Sequence, residues 1–373
     1  MVWPIYLGKM SVARRILTLY RSIQYYIFGR QKYGVLPVGK ECSVEKYRFD
    51  ENHGDIVHPC VRFISEGFEG YNWWMVYTPY YAANSSIENP ILCYSEESSP
   101  NMPPIEWKVY GLVADKPEDG YNSDPTLLYM DGQLYVYWRE NYEWSKKKHK
   151  YVRATYAVKV KKGFFEKVGK EVLYTTDKEV DAETCPTFML NEDSSVTAYA
   201  MHLKFHSYII SEMRPWIKNL VLKVVKITDI LGLYSQQKHY GIAIWEQQGE
   251  ITAPFEYRET LKISNCNKLY RPWHMDLFDW KGKRYAIIQT NQSNADLCLA
   301  ESEDYKQFTM FTRPLITNNT IGKLGIYKPC AGITPNGNFY LYYTAQDADN
   351  RALNKLYLTL IPFDLMLDKL KIN

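Results

Sequence analysis

Residues 58–81, HPCVRFISEGFEGYNWWMVYTPYY, hold a proline-opened apolar run, a glycine turn and a second, aromatic run. The same grammar returns four times. It reads DPTLLYMDGQLYVYWRE at 124–140, CPTFMLNEDSSVTAYAMHL at 185–203, RPWHMDLFDWKGKRYAIIQTN at 271–291 and KPCAGITPNGNFYLYYTAQ at 328–346. The prolines recur roughly every 60 residues with one longer gap, a period that suits four-stranded units with generous loops. Alternating aromatic and β-branched runs bounded by Asp131-Gly132, Lys281-Gly282 and Asn336-Gly337 mark strand pairs joined by hairpins. A sandwich does not require five copies of one motif, whereas radial repetition does. The expected fold is therefore all-β: a five-bladed β-propeller over residues 41–373, preceded by a basic, helical leader over 1–40. One insertion, 204–245, interrupts the pattern and is expected between blades 3 and 4.

Composition agrees with a well-packed fold. Hydrophobic residues make up 46% of the 373, and 33 tyrosines suit half-buried strands whose hydroxyls stay wet. A formal net charge of +3 is too small to argue for nucleic acid. The basic run KKKHK at 146–150 reads as a solvated loop. Seven cysteines without a CxxC spacing read as reduced, buried thiols.

In the leader, Arg14, Arg15, Arg21 and Arg30 interrupt every apolar stretch, so neither a signal peptide nor a transmembrane segment is expected. That argues for a cytoplasmic location or for export by another route. Residues 11–30 can form an amphipathic helix, which packs on its own domain or touches a membrane surface.

In a propeller, equivalent positions of the innermost strands converge on one axis. The residues before the five prolines are His58, Asp124, Cys185, Arg271 and Lys328. A residue before proline is expected to be extended, with its side chain aimed into the funnel. Asp55, Glu183, His274 and Asp276 lie close by in sequence. Such a pocket, ringed by aromatic and arginine side chains such as Trp74 and Arg139, has what a sugar needs: hydrogen bonds for hydroxyls and flat faces for pyranose rings. Polar residues at these places also serve as simple turn caps.

Asn122-Ser123-Asp124-Pro125-Thr126, followed by Asp131-Gly132-Gln133-Leu134-Tyr135, is similar to the second-blade motif of the five-bladed propeller glycosidases. That clan contains arabinanases, xylosidases and invertase-like enzymes. Glu183-Thr184-Cys185-Pro186 resembles their third-blade acid motif, and the first unit, with Glu88-Asn89-Pro90, resembles bacterial and phage proteins grouped with them. The resemblance implies that Asp124 orients the acid or stabilises the transition state and that Glu183 protonates the leaving oxygen. It also implies a blade-1 aspartate before Pro59, where this chain has His58; Asp55 is the remaining candidate base, and His58 an alternative acid or base. Glu183 stands three residues before Pro186, so a bulge is needed to turn it to the axis.

Arg271, Lys328, His274, Trp74 and Arg139 are the expected substrate contacts, the two cations either recognising an anionic sugar or neutralising buried acids. No cofactor is required and no full metal-ligand set is readable. In the resembling propellers a fourth-blade histidine lies near an axial ion or water, which would put a structural cation near His274. Three functions follow as alternatives: a glycoside hydrolase acting on a poly- or oligosaccharide, a non-catalytic glycan-binding propeller, and a protein-interaction scaffold.

Overall fold

The computed structural model describes residues 34–47, 54–118, 120–142, 153–168, 174–175, 181–205, 237–247, 253–266, 272–290, 295–318, 325–347, 349–350 and 352–371. Their strands form five sheets arranged as five blades. Two short strands, β1 (Lys40–Glu41) and β2 (Ser43–Val44), precede the first repeat. Blade 1 holds β3 (Val57–Phe68), β4 (Tyr71–Thr78), β5 (Ile91–Ser95) and β6 (Glu106–Leu112), with β2 added in parallel to β6. Blade 2 holds β7 (Gly120–Met130), β8 (Gln133–Tyr142), β9 (Arg153–Lys161) and β10 (Phe164–Lys167).

In blade 3, β11 (Tyr174–Thr175) lies outside β12 (Asp181–Leu190), β13 (Val196–Phe205), β14 (Gln237–Gln247) and β15 (Phe255–Thr260). Blade 4 comprises β16 (Lys262–Ser264), β17 (His274–Trp280), β18 (Lys283–Gln289), β19 (Asp296–Ser302), β20 (Gln307–Met310) and β21 (Ile316–Thr317). Blade 5 comprises β22 (Tyr327–Ile333), β23 (Asn338–Gln346) and β24 (Asn354–Pro362). Its fourth strand is β1, antiparallel to β24, so the start of the described chain closes the ring against its last blade.

Five apolar clusters fill the seams between successive blades. Trp73, Met75, Tyr340 and Tyr342 pack between blades 1 and 5; Trp74, Val76, Leu134 and Val136 pack between blades 1 and 2. Equivalent clusters close the remaining seams. Side chains alternate along a strand, and each blade is covered on both faces, so neighbours such as Trp73 and Trp74 are both buried. Helix α1 (Phe363–Lys371) buries Phe363, Met366 and Leu370 in the seam of blades 4 and 5, a 3–4 residue spacing that defines one helix face.

Two expectations need correcting. The inserted segment joins β13 to β14, which pair with each other from Val196↔Gln247 to Phe205↔Gln237. It therefore lies inside blade 3, not between blades 3 and 4. No glycine hairpin marks that junction, and β14 has no proline start, so the sequence hides the return to the sheet. The residues before proline are also not extended throughout. His58 has φ 54°, Asp124 φ 56° and Lys328 φ 30°.

The pairing explains why. In blades 1, 2, 3 and 5 the residue–proline pair faces a single partner residue, a register shift between Val57 and Cys60, Ser123 and Thr126, Thr184 and Thr187, and Tyr327 and Cys330. Proline has no N–H to give to the ladder, so it is housed in a β-bulge.

Of the expected leader, Val35 and Leu36 lie beside blade 4, donating their N–H groups to Pro314 and Leu315, while Gly39 and Lys40 already lie on blade 5. Residues 1–33 of the leader, KKKHK and Arg271 lie outside the described residues. No helix among the described residues is long and apolar enough to cross a membrane.

Candidate functional site

The bulges deliver side chains to the axis. His58 of β3 and Asp124 of β7 meet there, with Nε2 3.3 Å from Oδ1. The other imidazole nitrogen, Nδ1, lies 2.9 Å from the Thr78 hydroxyl. Arg139 of β8 forms an ion pair with the second Asp124 oxygen. Lys328 of β22 donates from Nζ to the Pro125 carbonyl (2.9 Å), while its own N–H donates to the Gln289 side chain (2.8 Å). Lys328 thus ties blade 5 to the blade-2 bulge through a backbone carbonyl.

One carboxyl here escaped the repeat logic. Glu88, in the loop between β4 and β5, lies with Oε2 3.7 Å from His58 Nδ1 and is almost fully buried. Asn122 fixes this loop: its N–H donates to the Glu88 carbonyl, and its side-chain amide to Asn89 Oδ1 at 2.8 Å. The Asn122-Ser123-Asp124 motif therefore carries Asp124 and also positions Glu88. Burial pushes the Glu88 carboxyl well above its usual range, against a Ser123 hydrogen bond and with the Asp124 charge adding to the rise. The sequence signal was Glu88-Asn89-Pro90, a loop motif off the repeating position.

His274 of β17 completes the ring from blade 4. Its imidazole packs edge-on against Tyr327 (centroids 4.8 Å apart) and His58 (6.1 Å). Burial drives both histidines towards the neutral form, His58 down to about 4 despite the Asp124 charge. Both His274 ring nitrogens and Glu88 Oε2 are buried without a hydrogen-bond partner among the described residues. Buried polar atoms of this kind call for a partner, since leaving one unpaired costs about 1–3 kcal/mol.

A second polar layer also lies between the inner strands. Asp276 of β17 takes both Arg62 guanidinium nitrogens (3.0 and 3.3 Å), the Thr187 hydroxyl (2.6 Å) and the Ala331 N–H (2.9 Å). Burial raises the Asp276 carboxyl, but Arg62 and the hydrogen bonds outweigh it and hold it below its usual value.

Two expected site residues are elsewhere. Asp55 accepts hydrogen bonds from the Tyr80 N–H (2.5 Å) and from the Asn354 N–H and side-chain amide (2.5 and 2.9 Å). Oδ1 pins blade 1 to Asn354 of blade 5 and Oδ2 holds the Tyr80 turn of blade 1 itself, so both oxygens are engaged away from the His58–Asp124 cluster. Trp74 is fully buried in the seam of blades 1 and 2 and offers no face to the axis. Glu183 pairs with His202 in β12, directly before the blade-3 bulge, and its side chain lies outside the described residues. Among the described residues no three His, Cys, Asp or Glu side chains cluster closely enough to hold a metal ion.

No known protein family and no curated protein sequence matches the chain. Solved structures do. An N-acetylgalactosamine deacetylase from F. plautii, in complex with blood group B trisaccharide, superposes with a TM-score of 0.63 at 14% identity, over 91% of this chain and 98% of its own. A GH43_1 enzyme from Xanthomonas citri gives 0.56 at 10%, over 94% and 93%. The compost-metagenome CoXyl43, a β-xylosidase/α-arabinofuranosidase in complex with xylotriose, gives 0.53 at 14%, over 87% and 95%. At such identities the shared property is the five-bladed fold.

Proposed function

We propose that this propeller is a glycoside hydrolase-like enzyme that takes a poly- or oligosaccharide at its axis. The observation that carries the reading is the set of partnerless buried atoms, Glu88 Oε2 and both His274 nitrogens, beside the Asp124–His58–Arg139 cluster. Sugar hydroxyls are donors and acceptors of the kind these atoms lack.

The chemistry uses two carboxyl groups in different states, the usual sign of an acid and its partner. Glu88, kept neutral by burial, is the general acid: it gives its proton to the leaving oxygen as the glycosidic bond breaks, and water then bonds to the anomeric carbon and returns a proton to the Glu88 carboxylate. Asp124, ion-paired with Arg139, supplies negative charge to the developing oxocarbenium centre. His58 acts through Asp124 and is a positioning residue. Burial keeps the imidazole neutral, and in the tautomer with Nε2–H towards Asp124 its Nδ1 is left to accept from the Thr78 hydroxyl. Glu183 remains the candidate from blade 3.

A specific observation favours a second reading, hydrolysis of an N-acyl group on an amino sugar. The sugar deacetylase superposes with a higher TM-score than the GH43 enzymes, 0.63 against 0.56 and 0.53, and His58 replaces the blade-1 aspartate that the glycosidase resemblance implies.

One assay separates the readings. Purified wild type, Asp124→Asn and Glu88→Gln are incubated with a panel of neutral and N-acetylated polysaccharides, scoring both reducing ends and free acetate. Reducing ends from wild type, reduced 10²–10⁴-fold in both variants, are expected for acid catalysis by this pair. Acetate without reducing ends would transfer the site to the second reading. Glycan binding without either product would leave a non-catalytic sugar-binding propeller.

A further inference from the structure

Away from the axis, blades 1 and 2 enclose a cleft of about 610 Å³ lined by Glu69, Tyr71, Tyr110, Gly111, Lys162 and Phe165, among others. It is walled by β6 on one side and by the turn between β9 and β10 on the other. Its turns, Glu69–Gly70 and Lys162–Gly163, follow the ends of β3 and β9 remote from the proline bulges. Its β6 and β10 walls belong to outer strands of blades 1 and 2, separated from the axial strands β3 and β7 by the intervening strands of each sheet.

We infer that this cleft is a second, non-catalytic carbohydrate site, built for a neutral oligosaccharide chain. Its volume falls within the range of about 300–1,000 Å³ usual for small-ligand sites and is modest for a protein-docking face. The lining joins flat aromatic rings to one acid and one base. Tyr71, Tyr110 and Phe165 line it with aromatic rings suited to pyranose contact, one face of Tyr71 being covered by Tyr94 at a centroid distance of 3.9 Å, and the exposed Glu69 and Lys162 give an acceptor and a donor for hydroxyls. Their opposite charges cancel, which complements an uncharged ligand rather than an anionic one.

The rings are fixed in advance. Buried Trp74 backs the cleft and meets Tyr71, Tyr94 and Tyr110 at centroid distances of 6.1, 6.2 and 5.1 Å. The Tyr110 hydroxyl donates to the Lys161 carbonyl at 3.0 Å, which locks that ring across the blade boundary. Gly111 lets the Phe165 ring approach β6 closely, since a Cβ there would lie 3.2 Å from it. Rings already held in place lose little freedom on binding. The tryptophan pair of YNWWMVY thus serves sugar recognition from behind, through Trp74, instead of at the axis.

The site is independent of hydrolysis at the axis, and its test is arranged accordingly. The full chain is run by affinity electrophoresis in native gels containing soluble arabinoxylan or mixed-linkage β-glucan. Wild type and Asp124→Asn are expected to be retarded alike by at least one of the two. Tyr71→Ala, and separately the rim pair Glu69→Gln with Lys162→Ala, should weaken the apparent affinity at least tenfold while the thermal midpoint of the rim pair stays unchanged. Because both rim residues are exposed, that pair decides the matter if Tyr71→Ala fails to fold. Equal retardation of wild type and the rim pair, loss of retardation in Asp124→Asn alone, or no retardation of wild type in either gel would overturn the inference. A hydrolase assay that found no activity would leave it standing.

Discussion

His58 shows how burial sets the state of a side chain. Burial lowers its pKa to about 4, against the usual 6.5, so in the fold it is neutral wherever it would begin to charge in the unfolded chain. Between those values the unfolded state binds the extra proton. His58 therefore favours folding above about pH 6.5, and that contribution is lost as pH falls towards 4, on the order of 3 kcal/mol in all. Asp55 has the opposite sign. Burial raises it to about 6 from 3.8, so the folded protein takes up a proton first and gains stability as pH falls through 6. The two offset each other over much the same window. In His58→Gln the offset is removed, and urea unfolding at pH 7, 5 and 4 should show the variant gaining on wild type as the solution is acidified. A constant difference between the two proteins across that range would mean that His58 does not titrate as its burial demands.

At the scale of the element, the bulge is what makes the site. An L-residue at φ 56° is uncommon, tolerated best by Asp, Asn and His, and costly for β-branched side chains; two of the three described occupants are His58 and Asp124. Asp124→Asn and Asp124→Val both remove the carboxylate that pairs with the largely buried Arg139 guanidinium, but asparagine accepts the left-handed conformation and valine does not. Asp124→Val should lose about 1–3 kcal/mol more, and denaturant melts of the pair measure the difference. Similar melts for the two variants would remove the strain argument. The same element shows what was legible in advance. The prolines gave the blades, their order and the places of His58, Asp124 and Lys328. Pre-proline sterics alone, though, predict an extended residue, and only pairing with β4, β8 or β23 reveals that the ladder must bulge around a missing N–H. Glu88 stayed hidden because it belongs to a loop, and repetition says nothing about loops. Trp74 misled because alternation implies one wet face, while a blade between two blades has none.

For the whole molecule the problem is to hold five wedges in a ring. The seams supply most of the apolar contact, β1 closes the circle, and Lys355 clasps that closure by bridging Glu41 of β1 and Asp347 at distances of 2.9 and 2.6 Å. The interior tie is Arg62. Through Asp276 and its partners it joins residues of blades 1, 3, 4 and 5 at once, with the Asp276 carboxylate almost wholly out of water. A buried ion pair of this kind need not add net stability over an apolar substitute, yet breaking one half strands the other charge. Arg62→Ala should therefore destabilise the fold by about 3–5 kcal/mol. Arg62→Met combined with Asp276→Leu should recover most of that loss, since no charge then remains to be solvated. A double-mutant cycle read by chemical denaturation isolates the coupling. If the single and double variants are equally unstable, the tie acts through packing alone. If the double variant is stable but its axial site no longer binds sugar, the charge network is retained to set the geometry of the inner strands that carry Asp124 and His274.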